Sequence, residues 1–356
     1  MLRIDDLGYP VVIDRDVSRA VAEFARSRKF TRIAVLCDKK VASHAERICG
    51  ALKGASVLPF ALGERRKTLA TVTSVLETLA VAGVDRRSLI IGLGGGVATD
   101  LFGFAAATYM RGVAYVNVAT SLVAMVDAAI GGKTGVDLAA GKNLAGVFRD
   151  PAAVFCDLTA LGSLGDAGLR EGLAEIVKHG IIEGGEVFES LETLAAHPLQ
   201  KWPWEKVIAD SIRIKAMIVN DDRVESGSRE ILNLGHTFAH ALERASGYRT
   251  AHGAAVAVGL RAAGLLALRT GRFSDAAHLR VLSLLTLLKL PLVAPVHDPG
   301  ELRSAMAADK KAHAGILRFV LPRAIGDVEF GITVPAASLH AVLARIVRAP
   351  SEREFR

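Results

Sequence analysis

The residues best suited to chemistry lie in the stretch 233–240, which reads Asn-Leu-Gly-His-Thr-Phe-Ala-His, and at His252 beyond it. His236 and His240 are four residues apart, so on a helix their side chains point into the same space, and the returning chain can bring His252 up to them. Three imidazoles in one pocket suggest a metal ion. The spacing alone fits equally well two ordinary histidines that are hydrogen-bonded in a core or on a surface.

A carboxylate upstream favours the metal interpretation. Glu175 and Lys178 are three residues apart, so on a helix they share one face, inside an apolar pattern that should bury them. A buried carboxylate needs a cation. Imidazoles with a carboxylate suit zinc, with one coordination position left open for substrate.

Glycine-rich loops in the first half of the chain are typical of phosphate binding. The apolar run 89–93 leads into three glycines and then a predicted helix, and free amides at a helix N-terminus bind phosphate. A second loop sets Lys133 among glycines, although neither loop has the spacing of a dinucleotide fingerprint or a P-loop. Asp38 ends a predicted strand, where a nucleotide-binding sheet meets a ribose, with helix capping as the alternative role.

The elements that must position these residues divide into two halves. Up to about residue 157, strands alternate with helices, which predicts a parallel sheet with crossover helices. Beyond about residue 160, helical periodicity dominates, with one long helix expected at 229–246 and a hairpin made by 316–321 and 328–332. We therefore expect an α/β, Rossmann-like nucleotide-binding domain at 1–159 and a mostly α-helical metal- and substrate-binding domain at 160–356.

Composition argues against several classes of function. Lys and Arg outnumber Asp and Glu, 44 against 37, but the excess is scattered, which fits an anionic small molecule and does not predict nucleic-acid binding. Cys37, Cys49 and Cys156 form no Cys-x-x-Cys pair and leave an odd thiol, which favours a reducing cytoplasm. The polar N-terminus and the charges within the apolar runs argue against a signal peptide or a membrane span.

Nine motifs in order along the chain resemble those of the dehydroquinate synthase family of sugar-phosphate cyclases. They are Gly-Glu-x-x-Lys at 63–67, Gly-Gly-Gly-Val-x-x-Asp at 94–100, Met-Arg-Gly at 110–112, Asp127, Gly-Gly-Lys-Thr-Gly at 131–135, Gly-Lys-Asn at 141–143, Glu-x-x-Lys at 175–178, Asn-x-Gly-His-x-x-x-His at 233–240 and His-Gly at 252–253. One such motif is weak, but nine in order over nearly the whole chain are specific.

The resemblance implies an NAD- and metal-dependent lyase with the dehydroquinate synthase fold, a homodimer, and an active site between the two domains. The metal implied is Zn²⁺, with Co²⁺ as an alternative. The substrate implied is 3-deoxy-D-arabino-heptulosonate 7-phosphate, converted to 3-dehydroquinate and phosphate in the shikimate route. Transient oxidation of a hydroxyl by NAD acidifies the neighbouring C–H, phosphate leaves, the hydride returns, and the ring opens and closes as a carbocycle.

Residue roles follow from the same resemblance. The metal ligands implied are Glu175, His236 and His252, which leaves His240 for the phosphate or for proton transfer. The residues implied around the phosphate are Lys133, Asn143, Lys178 and, from a neighbouring subunit, Arg111. Those implied at the carboxylate are Lys215, Arg229 and one of Lys310 or Lys311, while Asn233 orients substrate hydroxyls and Asp127 holds NAD or a hydroxyl.

The NAD contacts implied by the family are spread along the first half of the chain. They are Asp38, Glu64, Lys67, Gly95, Gly96, Val97, Thr99, Asp100, Thr120, Ser121, Lys133, Lys142, Ala160, Leu161 and Ser163. Glu64 and Lys67 have an alternative interpretation as an ion pair at a helix start, which would contribute little to stability.

Three positions depart from the family pattern. Ala254 replaces an acidic residue after His-Gly, Ala119 replaces a proline before the Thr-Ser pair, and Thr99 replaces a glycine before Asp100. Loss of the acidic side chain at 254 would loosen the orientation of His252.

Rival interpretations remain at the level of sequence. Related cyclases use heptulose 7-phosphates or amino sugars, but a substrate that carries a carboxylate is favoured by Lys215, Arg229, Asn233 and the Asp-Lys-Lys stretch at 309–311. An iron-type alcohol dehydrogenase shares the architecture, and His179 would supply its fourth ligand, although a neutral alcohol needs no such set of lysines. A non-catalytic nucleotide-binding relative would gain nothing from the crowded cations.

Overall fold

The computed structural model describes residues 1–295, 298–307, 317–351 and 354, so Lys310, Lys311 and the start of the expected hairpin at Ile316 lie outside the described residues. The chain divides into two compact units. The first comprises Met1–Leu169 and Trp204–Asn220, and the second comprises Arg170–Pro203 and Asp221–Arg356.

The first unit contains a seven-stranded sheet, whose strands alternate along the chain with four helices. Its strands are β1 Leu2–Ile4, β2 Val11–Asp14, β3 Ile33–Asp38, β4 Ala55–Phe60, β5 Leu89–Gly94, β6 Ala114–Ala119, β7 Lys133–Leu138, β8 Gly141–Phe148 and β9 Val154–Asp157, of which β7 and β8 form a separate hairpin. Its first four helices are α1 Ser18–Arg26, α2 Ala42–Gly50, α3 Leu69–Val81 and α4 Gly96–Thr108.

The strand order of the sheet is β1-β2-β9-β6-β5-β3-β4. Only β1 is antiparallel to its neighbour, and the remaining pairs are parallel, as the alternation of strands and helices predicts. The run β4-β3-β5-β6-β9 has the 2-1-3-4-5 order of a doubly wound sheet, so the winding reverses between β3 and β5. Ligands of such sheets bind at the carboxyl ends of the strands beside that reversal.

Apolar side chains fill both faces of this sheet. Because side chains alternate along a strand, Val35 and Cys37 of β3 pack on one face with α1 and α2, while Leu36 packs on the other with α3 and α4. Strands buried on both faces read as continuous apolar runs, which is why β5 and β6 could be recognised in the sequence.

The hairpin formed by β7 and β8 is not predicted by the sequence. Residues 131–143 have the pattern of phosphate-binding loops, whereas Lys133 opens β7 and Asn143 lies on β8. Glycine and lysine are poor strand formers, so propensity concealed a pairing that cross-strand contacts stabilise. The glycines serve the pairing, because a Cβ on Gly146 would lie 2.3 Å from the carbonyl oxygen of Thr134.

The second unit is mostly helical, as expected. The remaining α-helices among the described residues are α5 Leu161–Glu183, α6 Gly185–Ala195, α7 Trp204–Asp221, α8 His236–Ala245, α9 His252–Arg269, α10 Asp275–Leu287, α11 Pro299–Ala307 and α12 Ala336–Ile346. Of these, α7 belongs mainly to the first unit and α5 begins there. The strands β10 Phe319–Ala324 and β11 Asp327–Ile332 form the expected hairpin. Within the described residues, none of the helices is long and apolar enough to cross a membrane.

The single helix expected at 229–246 is wrong. A short 3-10 helix, Ser228–Asn233, ends before Leu234, and α8 begins only at His236. Gly235 separates the two with a φ of 79°, a left-handed conformation that glycine adopts without strain. Asn233 and His236 therefore do not share a helical face.

Candidate functional site

The second unit brings Glu175, His236 and His252 together. Glu175 lies within α5, and the two histidines are the first residues of α8 and α9. Their nearest donor atoms all lie within 4.8 Å of one another, with Glu175 Oε1 3.0 Å from His252 Nε2 and 3.5 Å from His236 Nε2. Tetrahedral zinc with bonds of about 2.0–2.1 Å places neighbouring donors about 3.3 Å apart, so this set fits zinc.

Three glycines allow the helices to approach this closely. A Cβ on Gly253 would lie 2.2 Å from the carbonyl oxygen of Glu171, one turn before Glu175 on α5. A Cβ on Gly259 would lie 2.2 Å from the carbonyl oxygen of Gly235, the residue before His236. Any larger residue at these positions would push apart the helices that carry the three donors.

The second nitrogen of each histidine is also held. His236 Nδ1 lies 3.3 Å from the carbonyl oxygen of Leu234, and His252 Nδ1 lies 3.1 Å from Oε1 of the buried Glu243. Both contacts leave Nε2 facing Glu175, which is how a protein orients an imidazole toward a metal ion. Glu243 thus orients His252 in place of the acidic residue missing at Ala254.

Glu243 was missed by the sequence analysis. It lies seven residues after His236, two helical turns further along α8, and this spacing was the available signal. The carboxylate was overlooked because it is contributed by the helix of the other histidine, not by the chain next to His252.

The electrostatics of the cluster favour an ionised carboxylate. Burial alone would raise the pKa of Glu175, but Lys178 and His236 outweigh it and hold the pKa well below its usual range. Lys178 Nζ contacts Glu175 Oε2, and both side chains are buried. Lys178 thus places one buried cation against Glu175.

The two histidines differ in basicity. Burial, followed by Lys178, lowers the pKa of His236 to about 4, so this imidazole is neutral at pH 7. Burial also lowers the pKa of His252, but its contacts with Glu175 and Glu243 outweigh this effect and raise the pKa to about 10. A cation among the three donors would replace the proton that His252 carries toward Glu175.

His240 lies one turn beyond His236 on α8. Its ring centroid is 5.6 Å from that of His236, in an edge-on arrangement. The cluster of mutually close donors contains Glu175, His236 and His252. The role of His240 toward phosphate or protons stays a prediction.

Arg229 and Asn233, two further predicted residues of this unit, are fixed by the loop around Asp222. Arg229 is buried, and its guanidinium donates to the carbonyl oxygen of Arg223 at 2.7 Å. The Asp222 carboxylate accepts backbone N–H groups of residues 226 and 227, and these bonds lower its pKa to about 2 despite burial. Asn233 Nδ2 donates to Glu225 Oε1 at 2.7 Å, so its action on substrate hydroxyls stays a prediction.

In the first unit, the predicted nucleotide loop lies at the reversal of the sheet. Gly94 ends β5 with a φ of 155°, where a Cβ would lie 2.5 Å from Cβ of Ala98 and 3.7 Å from Cβ of Asp38. A Cβ on Gly95 would lie 3.1 Å from Ser121 Oγ. The ends of β3, β5 and β6 therefore meet at the place where a doubly wound sheet binds its ligand.

The remaining residues of this loop are largely engaged within the protein. Gly96 and Val97 open α4, Thr120 N–H donates to the carbonyl oxygen of Gly94 at 3.0 Å, and the Thr99 hydroxyl donates to that of Gly96 at 3.0 Å. Asp38 accepts the N–H of Lys40 at 3.1 Å, so the capping role is observed, and the ribose contact stays a prediction.

Glu64 and Lys67, for which an ion pair at a helix start is the alternative interpretation, each have another partner. Buried Lys67 donates to Asp100 Oδ2 at 2.5 Å and to Asn143 Oδ1 at 2.6 Å. Glu64 Oε1 lies 2.6 Å from Lys142 Nζ. All three contacts join residues from different predicted motifs, and the one between Lys67 and Asn143 joins a predicted NAD residue to a predicted phosphate residue.

Other predicted residues of this unit have the following positions. Lys133 is exposed at the start of β7, and Arg111 is exposed in a left-handed conformation with a φ of 66°. Lys215 of α7 contacts the Asp127 carboxylate and donates to its carbonyl oxygen at 2.6 Å. Ala160 ends a short 3-10 helix, Leu161 begins α5, and Ser163 donates to the carbonyl oxygen of Ala160 at 2.7 Å.

Comparison with known proteins identifies the family. The model described as 3-dehydroquinate synthase N-terminal matches residues 57–171, and the C-terminal model matches residues 172–312. The curated 3-dehydroquinate synthase of Mycobacterium leprae is 41% identical over 324 residues, 89% of each chain. That of Symbiobacterium thermophilum is 39% identical over 352 residues, 96% of this chain and 98% of the other.

Solved structures of related cyclases are also similar to this chain. The 2-epi-5-epi-valiolone synthase from Streptomyces hygroscopicus with NAD⁺ and Zn²⁺ bound has a TM-score of 0.86 at 30% identity over 95% of this chain and 96% of that one. A 2-deoxy-scyllo-inosose synthase with carbaglucose-6-phosphate, NAD⁺ and Co²⁺ has a TM-score of 0.87 at 25% identity, with the same coverage of each chain. The butanol dehydrogenase A of Thermotoga maritima, 14% identical with a TM-score of 0.66 over 95% of this chain and 96% of that one, shares the fold alone.

The cofactors are NAD and a divalent metal ion. The two cyclases were solved with NAD⁺ and with Zn²⁺ or Co²⁺, and this chain has a set of donors for the metal ion in Glu175, His236 and His252. With two family models covering consecutive parts of the chain and relatives above 30% identity over nearly its whole length, the chain belongs to the 3-dehydroquinate synthase family.

Proposed function

We propose that this chain converts 3-deoxy-D-arabino-heptulosonate 7-phosphate into 3-dehydroquinate and phosphate. The observation that carries the proposal is the convergence of Glu175, His236 and His252 from three helices on donor distances that suit one divalent cation. Membership of the family supports the same activity.

When bound, the metal ion would polarise a substrate hydroxyl as a Lewis acid, and NAD would accept and return one hydride. Glu175, His236 and His252 hold the metal ion in this proposal, and Glu243 keeps His252 turned toward it. His240, one turn along α8, serves the leaving phosphate or moves a proton.

Cationic side chains and one amide would bind the anionic ends of the substrate. Lys133, Asn143, Arg111 and Lys178 are proposed to bind the phosphate. Lys215 and Arg229 are proposed to bind the carboxylate, since buried cations with fixed positions bind an anion without first losing side-chain freedom. Lys310 or Lys311, outside the described residues, would add one more.

The NAD contacts are proposed to gather on the first unit around the glycine loop. Asp38, Gly95 and Ser121 lie together there, and the N-terminus of α4 presents free amides and a positive dipole end. Lys67 and Asp100 would contact the dinucleotide as a pair, with Glu64 and Lys142 beside them.

Phosphate release from the heptulosonate tests the proposal. We expect release with catalytic amounts of NAD and no steady accumulation of NADH, and its loss after a chelator removes the metal ion. His236→Ala should abolish release, whereas His340→Ala, at an exposed position on α12, should not. Release that ignores both NAD and chelator would contradict the proposal, and NADH accumulation with a simple alcohol would favour a dehydrogenase.

The choice of substrate within the superfamily needs a second comparison. The carboxylated heptulosonate and the uncarboxylated heptulose 7-phosphate should be compared at equal concentration, with Lys215→Met alongside the wild type. We expect the wild type to prefer the carboxylated compound and the variant to lose that preference. Equal rates on both compounds in the wild type would indicate a related cyclase activity.

We also propose a cytoplasmic homodimer in which Arg111 acts in the neighbouring subunit. The exposed position of Arg111, beside the exposed Met110, supports a role outside its own unit. Mixing inactive Arg111→Ala and His236→Ala chains should restore activity in hybrid dimers, because each hybrid then has one intact site. No recovery after confirmed subunit exchange would assign Arg111 to its own chain.

A further inference from the structure

The hairpin of β7 and β8 is irregular where it carries a residue of the proposed phosphate site. The pairing register shifts between Val136 and Leu138, and Asn143 on the opposite strand has a φ of 52°. A residue other than glycine rarely adopts this left-handed conformation, although asparagine tolerates it better than most. The surrounding contacts must therefore hold Asn143 in place.

Asp137 provides the contact to the backbone of Asn143. Its Oδ1 accepts the N–H of Asn143 at 2.8 Å. Its own N–H donates to the carbonyl oxygen of Lys67 at 2.8 Å. The side chain of Lys67 in turn donates to Asn143 Oδ1 at 2.6 Å, so the three residues form a closed ring of hydrogen bonds.

This ring determines which end of the Asn143 amide is available to a ligand. Burial lowers the pKa of Lys67, but Asp100 outweighs this effect and raises it, so the ammonium group stays protonated. An ammonium group only donates hydrogen bonds, and therefore the amide must present its oxygen to Lys67. The two N–H bonds of Nδ2 are then the donors that Asn143 can offer to an anionic oxygen.

The same ring reaches the nucleotide loop. Lys67 Nζ donates to Asp100 Oδ2 at 2.5 Å, and Asp100 lies in the second turn of α4 after the three glycines. The hairpin is thereby tied to the helix that begins at the predicted NAD site. Asp137 is the member of the ring that belongs to none of the sequence motifs.

We propose that Asp137 is a positioning residue of the phosphate site: it holds the backbone of Asn143 so that the side-chain amide points its N–H groups at the substrate phosphate. This rests on the proposed function, in which Asn143 binds phosphate. Asp137 itself touches neither substrate nor NAD in this role. It acts through Asn143, with Lys67 fixing the orientation of the amide.

Binding of inorganic phosphate to the NAD-loaded protein, measured by calorimetry, tests the proposal without relying on turnover. Asp137→Ala removes the acceptor for the Asn143 N–H and should weaken phosphate binding about tenfold, the effect of losing one hydrogen bond. Asp137→Asn keeps an acceptor oxygen and should stay within about twofold of the wild type. If Asp137→Ala does not fold, Asp137→Val, which suits a strand, replaces it in the comparison.

A double-mutant cycle shows whether Asp137 acts through Asn143. Asp137→Ala added to Asn143→Ala should weaken phosphate binding no further than Asn143→Ala alone. Asp85→Ala is the matched control, because Asp85 also accepts a backbone N–H in a turn, that of Arg87 at 2.9 Å, in the same unit. It should leave phosphate binding within about twofold of the wild type.

Three results would overturn the proposal: wild-type affinity in Asp137→Ala, a tenfold loss that persists in the Asn143→Ala background, and no phosphate binding by the wild type. Failure of the proposed function looks different. In that case the variants would show the expected pattern with inorganic phosphate, while the wild type would release none from the heptulosonate.

Discussion

The contact between Glu243 and His252 makes a prediction about metal affinity. Glu243 is buried, and its Oε1 lies 3.1 Å from His252 Nδ1, so the carboxylate fixes both the tautomer and the ring orientation of one proposed ligand. A hydrogen bond to a charged group contributes about 1.5–3 kcal/mol, and each 1.4 kcal/mol is a factor of ten in affinity. Removing this bond should therefore weaken zinc binding about 10- to 100-fold.

Two substitutions separate the charge from the hydrogen bond. Glu243→Gln keeps an acceptor oxygen and removes the charge, so we expect a loss near tenfold. Glu243→Leu removes the acceptor as well, so the loss should approach a hundredfold. Competition with a chromophoric chelator on metal-free protein measures both values without any turnover.

Glu171→Gln is the matched control for this experiment. Glu171 is a neighbouring carboxylate that accepts the backbone N–H of Gly253 at 2.9 Å. Its zinc affinity should stay within about threefold of the wild type. An equal loss in Glu171→Gln would show that general negative charge matters, and unchanged affinity in both Glu243 variants would refute the argument.

Three further predictions concern stability, each measured by urea denaturation. Gly259→Ala should lower the free energy of unfolding by about 1–3 kcal/mol, because the added Cβ would lie 2.2 Å from the carbonyl oxygen of Gly235. Gly50→Ala is the control, because a Cβ there meets open space, and equal effects of the two substitutions would contradict the close-approach argument. Burial lowers the pKa of His278 to about 4, so the unfolded chain binds more protons than the folded one between pH 6.5 and 4, and this group should lower the free energy of unfolding by up to about 3 kcal/mol as the pH falls through that window. His278→Leu should remove this share of the pH dependence, while the share of His236, whose pKa is also lowered to about 4, should remain. Glu354→Ala leaves the buried guanidinium of Arg261 without its carboxylate and should lower the free energy of unfolding by about 3–5 kcal/mol. Glu329→Ala, which breaks the half-exposed pair with Arg272, should lower it by less than about 1 kcal/mol, and similar values for both would show that burial of Arg261 is not decisive.

The parallel sheet and the helical half were predictable because they rest on local patterns. Continuous apolar runs mark β5 and β6, and helical periodicity marks α9, whatever the rest of the chain does. The break at Gly235 was not predicted, because helical periodicity continues across it. The reason for the break lies in another helix, at Gly259, and spacing within one segment does not reveal such a contact.

The residues of the candidate site also differ in how far the sequence predicts them. Residues with conspicuous chemistry, such as Glu175 and His252, could be proposed from type and order. Glu243 and Asp137 could not, because each acts through a single hydrogen bond to a residue that is itself only proposed to bind the metal ion or the phosphate. Carboxylates are common on helices and in turns, so their residue type alone carries little information.

The glycines of the histidine motifs follow from the geometry that a metal ion requires. Metal–donor distances tolerate deviations of only about 0.2 Å. The distance between the axes of two packed helices, in contrast, varies between about 8 and 10 Å with the size of the side chains at their contact. His236 and His252 are the first residues of their helices, so a small separation of α8 from α9 would move their imidazoles apart directly. Gly235 and Gly259 remove the side chains that would force this separation, and Gly253 does the same between α9 and α5. Each proposed histidine ligand therefore has a glycine next to it in the sequence, because the imidazoles can share one metal ion only if the helix backbones lie close together.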